Sequence, residues 1–114
     1  MQLQAVDPMI KEIAGQLPVA YYAFPKPGQA PPYLVYYSPG RSDFFADDLN
    51  YQGILDLTIE LYTKTKNYSL EQSIEAAMTA KGLAYGKTET FIESDGVFQI
   101  TYTTEVIINA EQQN

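Results

Sequence analysis

Between Ile54 and Tyr62 the side chains alternate: Leu55, Leu57, Ile59 and Leu61 fall on one side, Asp56, Thr58 and Glu60 on the other. A period of two is the period of an extended strand, with one face on a core and the other toward water or a partner. The segment Tyr51 to Thr63 is therefore the strongest strand of the chain. Whatever else forms must pack against its leucine and isoleucine face.

The flanking residues supply what covers that face. Leu70, Ile74, Ala77 and Met78 recur at helical spacing and form one apolar stripe. Ser69 with Gln72 three residues on reads as a capping box at the start of this helix, and Gly82 closes it. Glu71 and Glu75 near its start and Lys81 near its end match the helix dipole. Leu83 to Glu93 and Val97 to Ile108 are two strands joined at Ser94-Asp95-Gly96, a hairpin signature. In the second of them Phe98, Ile100, Tyr102, Val106 and Ile108 share one face, and Gln99, Thr101, Thr103 and Glu105 the other.

Upstream, Asp7 as a cap and Pro8 at the first helical position start a short helix carrying Met9, Ile10, Ile13, Ala14 and Leu17. Val19 to Phe24 and Tyr33 to Ser38 are two aromatic-rich strands, expected to pair as a hairpin. Its tip, Pro25 to Pro32, holds four prolines in eight residues without the spacing of an SH3 ligand. Arg41 to Asn50 is expected to be a mobile acidic loop: Asp43, Asp47 and Asp48 stand beside Phe44 and Phe45, without the alternating oxygens and central glycine of an EF-hand. Two phenylalanines in such a segment mark an interface element. Ala110 to Asn114 reads as a polar, frayed tail. The whole is an α+β fold over residues 1–114: one domain, a mainly antiparallel sheet of about four to five strands, and two helices packed on one face. The other face and the edges stay open to neighbours.

Composition excludes several classes of function. Among 114 residues there is no His and no Cys. That removes disulfides, thiolate metal sites, cysteine nucleophiles, and the usual Ser-His-Asp and zinc-hydrolase arrangements. The net charge of −7 is spread with no basic cluster, so the surface repels nucleic acid rather than holding it. Ten tyrosines suit half-buried sheet faces and interfaces. No signal peptide is read at the start, and no apolar run approaches the roughly 20 residues of a membrane span; the chain reads as cytosolic and soluble. Asp56 and Glu60 share a strand face, but four residues at about 3.3 Å each set them roughly 13 Å apart, too far for a retaining carboxylate pair. Gly82 and Gly86 make no phosphate cradle. The reading is of no enzyme, no metal and no cofactor.

Several segments resemble the tail terminator family of long-tailed phages and prophages, also described as tail-completion or head-to-tail joining proteins. They are Pro31-Pro32-Tyr33-Leu34-Val35-Tyr36, Asp43-Phe44 with Ala46-Asp47, Tyr51, Ile59-Glu60-Leu61-Tyr62-Thr63 and Ile92-Glu93-Ser94-Asp95-Gly96. The resemblance covers residues 17–105 in the family's order. It implies an α+β subunit of a hexameric ring that caps the tail tube and docks onto the head connector, in the virion after assembly in the host cytoplasm. The implied partners are other copies of the chain, a tail tube protein and a connector or stopper, with DNA passing an acidic lumen unbound and no membrane involved. Candidate interface residues are Phe44, Phe45, Asp47, Asp48, Asp56, Glu60 and Tyr36. Two alternatives remain open: a head-tail stopper or other neck component, and a cellular adaptor or small-ligand-binding domain.

Overall fold

A computed structural model describes residues 1–46 and 50–108. A single 3-10 turn at Leu3–Ala5 leads into helix α1 (Val6–Ala14). Strands β1 (Val19–Tyr21), β2 (Tyr33–Arg41), β3 (Phe44–Ala46) and β4 (Asn50–Thr63) follow, then helix α2 (Tyr68–Ala80) and strands β5 (Tyr85–Ile92) and β6 (Val97–Ile108). The sheet runs β1-β2-β4-β6-β5, with β3 paired to the first residues of β4. Every pairing is antiparallel except β1 with β2. The result is the expected α+β fold, with a five-strand mixed sheet and two helices. Among the described residues no helix is long and apolar enough to cross a membrane.

The alternation in β4 does what its period demands. Leu57, Ile59 and Leu61 are buried, and register carries their face across the sheet. Leu34, Leu61 and Ile100 form one row over β2, β4 and β6; Tyr36, Ile59 and Tyr102 form the next. Onto this face α1 lays Val6, Met9, Ile10, Ile13 and Ala14, and α2 lays Ile74 and Met78, all within one core cluster. Each such fully buried aliphatic side chain contributes about 1.5–3 kcal/mol. At about 3.3 Å per residue β4 alone reaches roughly 45 Å, most of the 50 Å longest dimension of the molecule.

Four expectations need correction. The two aromatic strands do not form a hairpin. Val19, Ala20 and Tyr21 run parallel to Leu34, Val35 and Tyr36. The segment from Tyr22 to Pro32 is a return crossover: Tyr22 turns the chain at φ 65 and donates its N–H to the Tyr36 carbonyl, while Leu34 N–H reaches back to the Pro18 carbonyl. From Tyr22 to Pro32 the segment approaches the length a parallel connection requires.

Second, Arg41 to Asn50 is not simply a loop, because Phe44, Phe45 and Ala46 pair with Gln52, Tyr51 and Asn50. Asp43 anchors this hairpin by accepting from Ile54 N–H at 2.9 Å. Third, β2 continues past Pro39 to Arg41. A register shift between Tyr37 and Gly40 admits the proline at a bulge.

Fourth, both helix caps move. Asn67, not Ser69, caps α2: its side-chain oxygen accepts from Leu70 N–H at 3.0 Å. Asn ranks at least with Ser at this position, and the chain reaches it first. Asp7 lies within the first turn of α1, where its carboxylate serves Tyr36 and Lys11 instead of capping. The far end of α2 closes as expected. Gly82 at φ 78 donates to Thr79, and Leu83 to Met78, a Schellman motif. The tail Ala110 to Asn114 lies outside the described residues.

Two substitution pairs test this geometry in chemical denaturation. Asn67→Ala is expected to cost about 1 kcal/mol, while Ser69→Ala costs a few tenths at most. Gly53→Ala is expected to cost roughly 1–3 kcal/mol from overpacking, because a Cβ there would stand 2.8 Å from Ile108 Cγ1. Gly40→Ala, whose Cβ would meet nothing nearer than 3.7 Å, should be nearly silent.

Candidate interaction surface

The sheet face away from the helices is built from the alternate residues of the same strands. Register aligns Tyr33 with Tyr62 and Gln99, Val35 with Glu60 and Thr101, and Tyr37 with Thr58 and Thr103. Tyr33 and Tyr62 stack with ring centroids 4.9 Å apart. Tyr22, leaving β1, stacks on Tyr37 at 4.9 Å with only 9° between planes. Glu60 joins the two pairs: its carboxylate accepts from the Tyr37 hydroxyl at 2.9 Å and the Tyr62 hydroxyl at 2.7 Å. Gln99 donates to the Tyr62 oxygen at 2.7 Å. Partial burial, then the hydrogen bond to Glu60, raise both hydroxyls above the ordinary tyrosine range. They stay protonated and remain donors at any physiological pH.

The proline-rich crossover folds over one end of this face. Phe24 meets Tyr33 edge-on at 5.3 Å, and Val35 beneath is only 5% exposed. A groove of about 460 Å³ remains between the crossover and the rings of Tyr33 and Tyr62. The other end of the face is more polar. There Ser42 donates to both Asp56 oxygens, at 2.8 and 3.0 Å. Arg41 grips Asp43 through two nitrogens, at 2.9 and 3.0 Å. These contacts tie the base of the β3–β4 hairpin, from which Phe44 projects 62% exposed.

On the helix-covered face a charged cluster fastens α2 to the sheet. Glu71 is 1% exposed and lies between Lys66, at 2.7 Å, and Lys87, at 2.9 Å. Lys87 also reaches Glu75 at 2.6 Å, and Glu75 accepts from the buried Tyr102 hydroxyl at 2.7 Å. Lys66 extends to Glu89 at 2.5 Å. Burial alone would raise the Glu71 carboxyl, but the two lysine contacts outweigh it and hold it below the ordinary carboxylate range. Glu75 follows the same pattern through Lys87 and Tyr102.

The structure divides the sequence-derived interface residues. Phe44 is exposed on the β3–β4 hairpin, while Asp56 and Glu60 lie on the open face, Asp56 accepting from Ser42 and Glu60 from the Tyr37 and Tyr62 hydroxyls. Phe45 contributes backbone pairing with Tyr51, and Asp47 and Asp48 lie outside the described residues. Tyr36 lies apart from them. It sits on the helix-covered face, 6% exposed, with its hydroxyl bonded to Asp7. Its parity with Leu34 in β2, opposite to that of Val35 and Tyr37, already carried that signal. The tyrosine belt and the cluster around Glu71 went unread, because both depend on cross-strand register. Among the described residues no three acidic side chains converge as a metal site.

No family model matches the chain, and no curated protein matches it. A solved structure does: a chain in the virion of a native gene transfer agent particle, with TM-score 0.60 and 16% identity, covering 94% of this chain and 88% of that one. At that identity the likeness shows a shared fold.

The cluster around Glu71 makes stability acid-sensitive in a defined direction. A carboxyl whose folded value lies below its ordinary 4.5 adds stability that is complete above pH 4.5 and is lost as pH falls through the folded value. The denaturation midpoint is expected to hold steady above about pH 5 and to fall below pH 4.5. In Glu71→Gln that acid slope should flatten, with stability at neutral pH about 1–2 kcal/mol lower, because Lys66 and Lys87 lose a buried partner while keeping Glu89 and Glu75.

Proposed function

We propose that this chain is a structural, non-enzymatic protein of a phage-like virion, a single domain acting through its surfaces as a ring that caps the tail tube and joins the tail to the head connector. The observation that supports the reading is the superposition of nearly the whole chain on a chain of a gene transfer agent virion. The segments that resemble tail terminators point the same way, independently of that superposition.

The architecture suits such a role. One sheet face is sealed by helices, whereas the open face, the exposed Phe44 hairpin and the outer edge of β5 are free in the isolated subunit. Repeated head-to-tail contacts between unlike surfaces close into rings. The net charge of −7 fits a lumen along which DNA slides without binding. A head-tail stopper shares these features; it would form rings only on a portal complex, whereas a terminator forms them at a tube end.

Antibody-labelled electron micrographs of particles carrying the chain test the reading. Label is expected at a single point, the junction of tail and head, with six copies per particle. Label along the tube or inside the shell would overturn it. Titration calorimetry with Mg²⁺, Zn²⁺ or ATP is expected to give no stoichiometric heat, and tight binding of any of them would refute the non-enzymatic reading.

A further inference from the structure

The groove between the proline-rich crossover and the open sheet face has a composition that ring assembly does not explain. Its walls are the rings of Tyr22, Phe24, Tyr33 and Tyr62, with Val35 at its base. The aromatic surface is held rigidly: Tyr62 stacks on Tyr33, Tyr22 on Tyr37, and Phe24 closes edge-on against Tyr33. Beside it lies the Glu60 carboxylate, oriented by two tyrosine hydroxyls.

Among the described residues Glu60 has hydroxyl partners and no cation. The carboxylates of Asp43, Glu71, Glu75 and Glu89, by contrast, each meet Arg41, Lys66 or Lys87. Asp95, in the turn before β6, adds a second negative charge near the Tyr33 hydroxyl. Electron-rich ring faces beside a fixed carboxylate attract a cation, and a planar guanidinium stacks on such rings better than an ammonium does. An anionic or nucleotide ligand would sit against the Glu60 carboxylate bonded to the Tyr62 wall, on a protein of net charge −7. A purely apolar ligand would leave Glu60 uncompensated.

We propose that this groove receives an arginine side chain of a partner protein, its guanidinium stacked among Tyr22, Tyr33 and Tyr62 and its charge matched by Glu60. Lys26, on the rim, is the chain's own competitor; it makes no ion pair among the described residues. The proposal concerns the isolated subunit and stands whether or not the chain forms a ring.

The test is a titration followed by NMR of the tyrosine rings at low salt, with N-acetylarginine amide as the probe. N-acetylcitrulline amide, nearly the same shape without the charge, is the control. Saturable shifts are expected at Tyr22, Tyr33 and Tyr62, with citrulline binding about tenfold weaker or less. Glu60→Gln should reduce arginine affinity by a similar factor, and Asp95→Asn, in an exposed turn, should reduce it by less. Lys26→Ala should leave binding equal or tighter. Equal binding of citrulline, shifts confined to other residues, or binding seen only in Lys26→Ala would each overturn the proposal. Should Glu60→Gln lose its fold, the citrulline comparison and Asp95→Asn still decide the matter.

Discussion

The structure depends on β4 being paired on both sides. Gly53 to Thr63 match Ile108 to Phe98 residue for residue, while Leu55 to Tyr62 face β2 on the other flank. A strand bonded on both edges has no freedom to slip, since a shift of one residue would send Leu57, Ile59 and Leu61 to the open face and bring Thr58 and Glu60 into the core. Register then fixes everything else: which tyrosines stack, which carboxylates meet them, and where the helices must lie. Gly53 shows how close the fit is, because β6 passes so near that no side chain fits between them.

Apolar packing alone would leave the helices free to slide over a row of branched side chains. Polar contacts specify where they sit. Asp7 holds the start of α1 to Tyr36 on β2, and Lys81 at the end of α2 reaches Glu12 on α1. The cluster of Lys66, Glu71, Lys87 and Glu75 ties α2 to β5 and β6. Burying a carboxylate as deeply as Glu71 is costly, and two lysines offset the cost only in one geometry. The cluster thereby sets position more than it adds stability. On the edge strand β5, Lys87 and Glu89 share the side of Tyr102 and Ile100 and remain exposed, while Thr88 and Thr90 alternate onto the open face.

Features set by one element's own period were legible in the sequence. The faces of β4 and β6, the stripe of α2, the Gly82 stop and the α+β class all follow from spacing along a single segment. What escaped involves competition or register between segments. Asn67 and Ser69 both suit a cap, and only the path of the preceding turn selects between them. Val19 to Phe24 and Tyr33 to Ser38 look like hairpin arms by composition, and only the register of Val19 with Leu34 reveals that they run parallel. Phe44 is legible as a ring of an interface segment, whereas the sequence places Glu60 only on a polar strand face and not at the centre of a tyrosine belt. That role needed the pairing of Val35 with Glu60, which no single strand encodes.

The division of labour between the two sheet faces gives them different chemistry. The helix-covered face holds nearly all the buried aliphatic residues and is complete within one subunit. The open face is half-buried and aromatic, and on it Tyr37, Tyr62, Glu60 and Gln99 satisfy one another by hydrogen bonds within the sheet. Such a surface can be covered without stranding those tyrosine hydroxyls, and it tolerates water when uncovered. Tyrosine serves both states where leucine or lysine would serve only one. Four of the ten tyrosines, Tyr22, Tyr33, Tyr37 and Tyr62, stack in pairs on this face, where a ring that carries a hydroxyl is at home both in water and under a covering protein.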